Sequence, residues 1–173
     1  FRAAAPIDDV VKAVALGRIG AVQKWLDGGG KPNTIIDADG GTLLMLSANS
    51  GHVRVAELLL KHGAAVDFRD GFGGTALMFA AGLGHAHVLH LLLQHGAEVN
   101  RRDHGGTTAL IAAATHGRRS AVLRLLRAGA DMAVRDNDEK TALQLATENG
   151  FAECVEAFRT HLAEVAAGRS KAP

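Results

Sequence analysis

The peptides DADGGT (37–42), DGFGGT (70–75), DHGGTT (103–108) and DNDEKT (136–141) start at constant steps of 33 residues along the chain. A second set of landmarks keeps the same register: Gly51, Gly84, Gly117 and Gly150 recur, as do Gly63, Gly96 and Gly129. A fixed period in the range of roughly 20–50 residues marks a chain built by stacking one supersecondary unit. Upstream, AVALGRIGAVQKWLDGGGKPN (13–33) repeats the pattern once more, with Gly17 and Gly29 at matching places and one extra residue before Asp37. Five units result.

Each unit has a physical reading. Thr42, Thr75, Thr108 and Thr141 precede apolar stretches, where a hydroxyl can accept from the orphan amides that open a helix. Gly51 and its equivalents suit the left-handed conformation that ends this short first helix. A second helix follows in VRVAELLLKH (53–62), AHVLHLLLQH (86–95) and RSAVLRLLRA (119–128), closed by Gly63, Gly96 and Gly129. The connectors AAVDFRDGFGG and AEVNRRDHGG are rich in Asp, Asn and Gly and predict extended loops tipped by turns. Isolated helices shorter than about 12 residues are marginal in water, so only stacking can stabilise these.

The landmarks resemble those of the ankyrin repeat, over nearly the whole chain from Ile7 to Leu162. The matching residues are the Asp-x-x-Gly-x-Thr turns at 37, 70 and 103 and the paired alanines of the first helix (Ala80, Ala81; Ala112, Ala113). The Gly-His turns (Gly51, His52; Gly84, His85), the leucine runs at 58–60 and 91–93, and the Gly-Ala-x-Val-Asp/Asn segments ending at Asp67 and Asn100 complete the match. The resemblance implies an all-α solenoid of helix-turn-helix units with projecting β-turn fingers. It divides the chain into an N-terminal cap (7–36), internal repeats at 37–69, 70–102 and 103–135, a C-terminal cap (136–166) and a flexible tail (167–173), all one domain. Lys12, Arg18, Gln23 and Lys24 fall on the solvent side of the first cap, and the last helix turns polar residues outward, so both ends are expected to close the stack. The family's usual Thr-Pro-Leu-His reads TLLM, TALM, TALI and TALQ here. Loss of its histidine removes a polar tie between units, and Met45, Met78 and Ile111 are expected to replace it by packing. At the fourth finger Glu139 stands where the others have glycine.

Composition narrows the function. With 19 Lys and Arg against 18 Asp and Glu, the chain has no overall attraction for nucleic acid or anionic membranes. No run approaches the roughly 18 apolar residues of a membrane span. The single cysteine, Cys154, excludes an internal disulfide and favours a reducing, intracellular setting, expected to be the cytoplasm. The chain opens at Phe1 rather than at a methionine, as a fragment or processed chain would, so a targeting segment is expected to be missing.

Several side chains invite chemistry and lose it on alignment. GHAHVLHLLLQHG (84–96) gathers four histidines, the commonest metal ligands. His85 recurs as His52 and His95 as His62, which makes them unit landmarks. His87 and His90 fall on a variable outward helix face with no carboxylate or thiolate to complete a site, so no metal is expected. Cys154 aligns with Val55, Val88 and Ala121, a core position, and predicts a buried, inert thiol. The glycine strings lack the Gly-Lys-Ser/Thr ending of a phosphate loop, and no catalytic constellation is present. The chain therefore reads as a non-enzyme without a cofactor. Arg69, Arg102 and Arg135 form a ladder in register, read as finger-base charges bonding each other and the turn backbone. Arg101, Arg102, Arg118, Arg119, Arg124 and Arg127 crowd together as an alternative basic patch for an acidic partner or RNA, or with His104 and His116 for a small ligand, but the third unit has no aromatic residue for stacking bases, and nucleic acid is disfavoured.

What remains is a surface. The resemblance implies partner binding on the concave side, at finger tips and first-helix ends. Position by position this comprises Asp39, Gly41, Asn49 and Ser50, then Phe72, Gly74, Gly82 and Leu83. The third unit adds His104, Thr107, Thr115 and His116, and the last adds Asn137, Asp138, Glu148 and Asn149. Phe72 and Leu83 are large apolar groups at places where water is expected, the character of interface anchors, although Phe72 could instead fold back on Phe68. The reading is a monomeric, non-catalytic module for a protein or extended peptide, or alternatively a regulatory or targeting part of a larger protein. The resemblance also marks Asn100 as the kind of turn asparagine that is hydroxylated in some members of the family.

Overall fold

Thr42, Thr75, Thr108 and Thr141 each accept a hydrogen bond from the amide three residues on, at 3.2–3.4 Å, and so open four first helices in the same way. In the computed structural model, which describes residues 6–168, ten helices follow one another in pairs. The pairs are α1 (Ile7–Ala15) with α2 (Ile19–Asp27), α3 (Leu43–Asn49) with α4 (Val53–Lys61), α5 (Ala76–Leu83) with α6 (Ala86–Gln94), α7 (Ala109–Thr115) with α8 (Arg119–Arg127), and α9 (Ala142–Glu148) with α10 (Ala152–Ala166). First helices stack on first helices and second on second, unit after unit. Among the described residues there is no strand, only isolated bridges at Ile35 with Thr42 and at Arg135 with Thr141. Residues 1–5, and 169–173 of the expected tail, lie outside the described residues.

Helices of seven to nine residues hold because their apolar faces merge into one core. Leu44, Leu77 and Leu110, at one position of successive units, are each at most 2% exposed. Burying such a side chain is worth about 1.5–3 kcal/mol. Met45, Met78 and Ile111 are buried as expected, at 4%, 8% and 2% exposure. The paired alanines need one correction: Ala80 and Ala81 find their equivalents in Ala113 and Ala114, both fully buried, because Ala112 faces partly outward.

The turn glycines serve two ends. Gly51 has φ of 73°, and a Cβ there would lie 2.6 Å from the imidazole of His85 in the next unit. Gly117 has φ of 67° and the same crowding from Phe151. The polar tie that the missing histidine would have made is thus rebuilt at the start of the second helices. His52 donates to the carbonyl of Ala15 (2.9 Å), His85 to Asn49 (3.0 Å), and the Arg118 Nε to Gly82 (3.0 Å). The arginine ladder is equally structural. Arg69 donates to Gly73 and to the carbonyl of Arg102, and Arg102 to Gly106 and to the carbonyl of Arg135, so each rung grips the backbone of the next rather than its charge.

The ends differ from the middle. Lys12, Arg18 and Lys24 are exposed on the first cap, and Gln23 bonds Asp27 at 2.7 Å. The fourth finger holds Glu139 at φ of 62°, the only non-glycine residue with positive φ among the described residues, with its carbonyl accepting from Arg135. Glu153, Glu156 and Arg159 face solvent on α10, but the helix runs on for 15 residues and also exposes Leu162 and Val165, at 50% each.

Candidate partner-binding surface

The fingers are rigid before any partner arrives. Asp37 accepts from the amides of Asp39 and Gly41, Asp70 from Phe72 and Gly74, and Asp136 from Asp138 and Lys140, all at 2.8–3.1 Å. Asp103 accepts from Thr107 at 2.8 Å. Backbone bonds then join finger to finger: Gly71 donates to Asp39 (2.6 Å), His104 to Phe72 (2.9 Å) and Asn137 to Gly105 (2.9 Å). Residues at the tips are therefore held at fixed spacing.

The expected surface residues separate into two kinds. Toward the C-terminal end most are engaged with the protein itself. Asn137 donates to the carbonyl of His104 (3.0 Å), Asn149 to that of Thr115 (3.2 Å), and the Thr115 hydroxyl to Ile111 (2.8 Å). Glu148 pairs with Lys140, which raises the lysine pKa through that hydrogen bond and charge, and the His116 ring bonds the carbonyl of Ala112. Asp138 is exposed. Ser50 ends α3 and is partly buried, while Leu83 is 42% exposed at the end of α5.

The other kind lies between the first two internal units. Asp39, Gly41, Asn49 and Phe72 line one groove of about 360 Å³, floored by Ile36, Met45, Leu46 and Phe79. Phe72 is 64% exposed, so its ring forms a wall and is not folded into the core. Asp37, Asp39 and Asp70 place carboxylates along the edge, and no basic side chain is in the lining. Leu83 stands outside these walls. Ile36, Leu46 and Phe79 escape a reading based on surface positions because they look like core residues. The available signal is Ile36, which occupies the place that Arg69, Arg102 and Arg135 fill elsewhere. Leu16, 59% exposed at the position matching Leu83, is a further exposed helix-end residue that the sequence reading omits.

Part of the basic alternative is consumed. Arg102 and Arg118 make the ties described above, and Arg101 bonds Glu98 at 2.8 Å and lies 3.9 Å from Asp67; Arg119 is exposed at the start of α8. Asn100 is tied too, accepting from Asp131 (2.8 Å) and donating to Gly129 (3.4 Å). Cys154 is fully buried, and burial pushes its thiol pKa up. His87 and His90 are exposed on α6, and among the described residues no three His, Cys, Asp or Glu side chains are grouped to hold a metal.

Comparison with protein families agrees with this architecture. A model of ankyrin repeats in three copies matches residues 10–103, and one of many copies matches 92–146. The chain belongs to the ankyrin repeat family. No curated protein matches it. Ankyrin repeats are generally protein–protein interaction modules and typically non-catalytic. In this ankyrin-repeat protein no described helix is long and apolar enough to cross a membrane.

Proposed function

We propose that this ankyrin-repeat chain is a non-catalytic docking module that holds a protein or extended peptide in the groove between its first two internal units. One observation carries the reading: an exposed phenylalanine, Phe72, walls an apolar-floored groove built from rigid fingers. Large rings at the centre of a pocket are the usual anchors of binding energy, while the acidic edge sets orientation. The chain works as a monomeric domain spanning 7–166, and its buried thiol without a disulfide suits the cytoplasm. Engagement of Arg101, Arg102 and Arg118 within the fold speaks against RNA on that patch.

The test is capture of partners from native extract by the wild type and by a Phe72→Ala variant, with thermal melts of both. Loss of a captured protein at an unchanged melting temperature supports the reading. A large fall in melting temperature would place the ring in the fold and sink it.

A further inference from the structure

We infer that the layer of second helices carries another docking site, a groove between α6 and α8 that takes an acidic polypeptide segment. The groove has a volume of about 600 Å³, and His90, Leu93, Ser120, Leu123, Arg124 and Arg127 are among its walls. No acidic side chain lines it. Among the described residues no carboxylate lies within ion-pair distance of Arg124 or Arg127, unlike the lysines and arginines that the fold has paired.

The repeat supplies the control. In α4, Glu57 and Lys61 neutralise each other at 2.7 Å, and this contact lowers the Glu57 pKa. The same two places hold His90 and Gln94 in α6, and Leu123 and Arg127 in α8. Arg124 stands where α4 and α6 have Leu58 and Leu91. The third unit has thus exchanged a self-compensated pair and a leucine for two unpaired guanidiniums and one part-buried leucine, Leu123, with part-buried Leu93 of α6 in the same lining. A helix C-terminus favours cations, but α4 meets that preference with Lys61 while keeping its acid.

The chemistry selects the occupant. Guanidinium forks bind carboxylates in a bidentate manner, and Leu93 and Leu123 offer an apolar seat between carboxylates on the incoming chain. A segment with glutamates or aspartates flanking one apolar side chain complements every wall. RNA binds through stacked bases along a charged track, and His90 is the only ring here. The site lies on the second helices and shares no lining residue with the Phe72 groove, so the module can hold two partners at once.

The experiment uses the whole chain and fluorescence anisotropy of a labelled peptide of alternating glutamates around one leucine. Controls are the same peptide with glutamine for glutamate and an oligouridine of equal charge. The acidic peptide is expected to bind, and more weakly as salt rises from about 50 to about 300 mM. Arg124→Glu with Arg127→Glu should weaken it about tenfold or more, with the melting temperature kept, while Phe72→Ala leaves it unchanged. If the double reversal loses its helical signal, Arg124→Gln with Arg127→Gln replaces it, with a smaller loss expected. No binding at about 1 mM peptide, equal binding of the glutamine peptide, equal binding by the variants, or preference for the oligouridine each overturns the proposal.

Discussion

The first and third internal units share a backbone plan and present opposite surfaces. Both open their first helix with a buried threonine, both bury a leucine at the same place, and both fix the finger with an aspartate. Yet Ile36 precedes the finger of the first unit where Arg102 precedes that of the third, and α4 holds an internal ion pair where α8 leaves arginines unpaired. The helix-opening threonines and the buried leucines repeat from unit to unit, while most of the exposed groove positions do not. The fold and the surfaces of this chain are therefore written by different positions of the same period.

The most severe way to break the comparison is in the core, where the two units are expected to behave alike. Leu44→Ala and Leu110→Ala should each cost about 2–5 kcal/mol in urea unfolding. A large difference between them would show that the shared plan does not mean shared energetics. The fourth finger tests the same idea from the other side. Glu139→Gly should raise stability by about 0.5–1 kcal/mol, read as a higher melting temperature, because a side chain is strained at that positive φ. A fall instead would mean that Glu139 makes a contact outweighing the strain. The finest probe is Ile36→Arg, which puts before the first finger the ladder residue that Arg102 supplies before the third. Unfolding should move by less than about 1 kcal/mol, because Ile36 is only partly buried, while capture of the groove's partner is lost. Retained capture would detach the groove from the docking reading.

The register and the helix pairs were legible because stacking demands a compatible residue type at each core contact. Thr75, Gly84 and Leu77 can be read without coordinates, since only their kind is compatible with the place. The inter-unit ties were half legible. His52 and His85 stood out as landmarks, but Arg118 in the same place looked like part of a charged patch, because sequence spacing does not reveal that its Nε reaches the carbonyl of Gly82. The candidate groove was less legible still. Asp39, Asn49 and Phe72 are finger-tip and helix-end positions that the resemblance implies, whereas the floor depends on Ile36, Leu46 and Phe79, apolar residues that a pattern assigns to the interior. Whether such residues close against a neighbour or stay open to a visitor is decided by the side chain across from them. At the first finger no arginine stands at the ladder position.

The backbone bonds between fingers, from Gly71 to Asp39, His104 to Phe72 and Asn137 to Gly105, give each junction its own amide proton. The stability of stacked repeats is a sum of unit and neighbour-interface terms, so single junctions can open locally. Exchange of these three protons with solvent therefore times the opening of three successive seams, and a partner clamped across one seam slows that clock while its neighbours keep their pace.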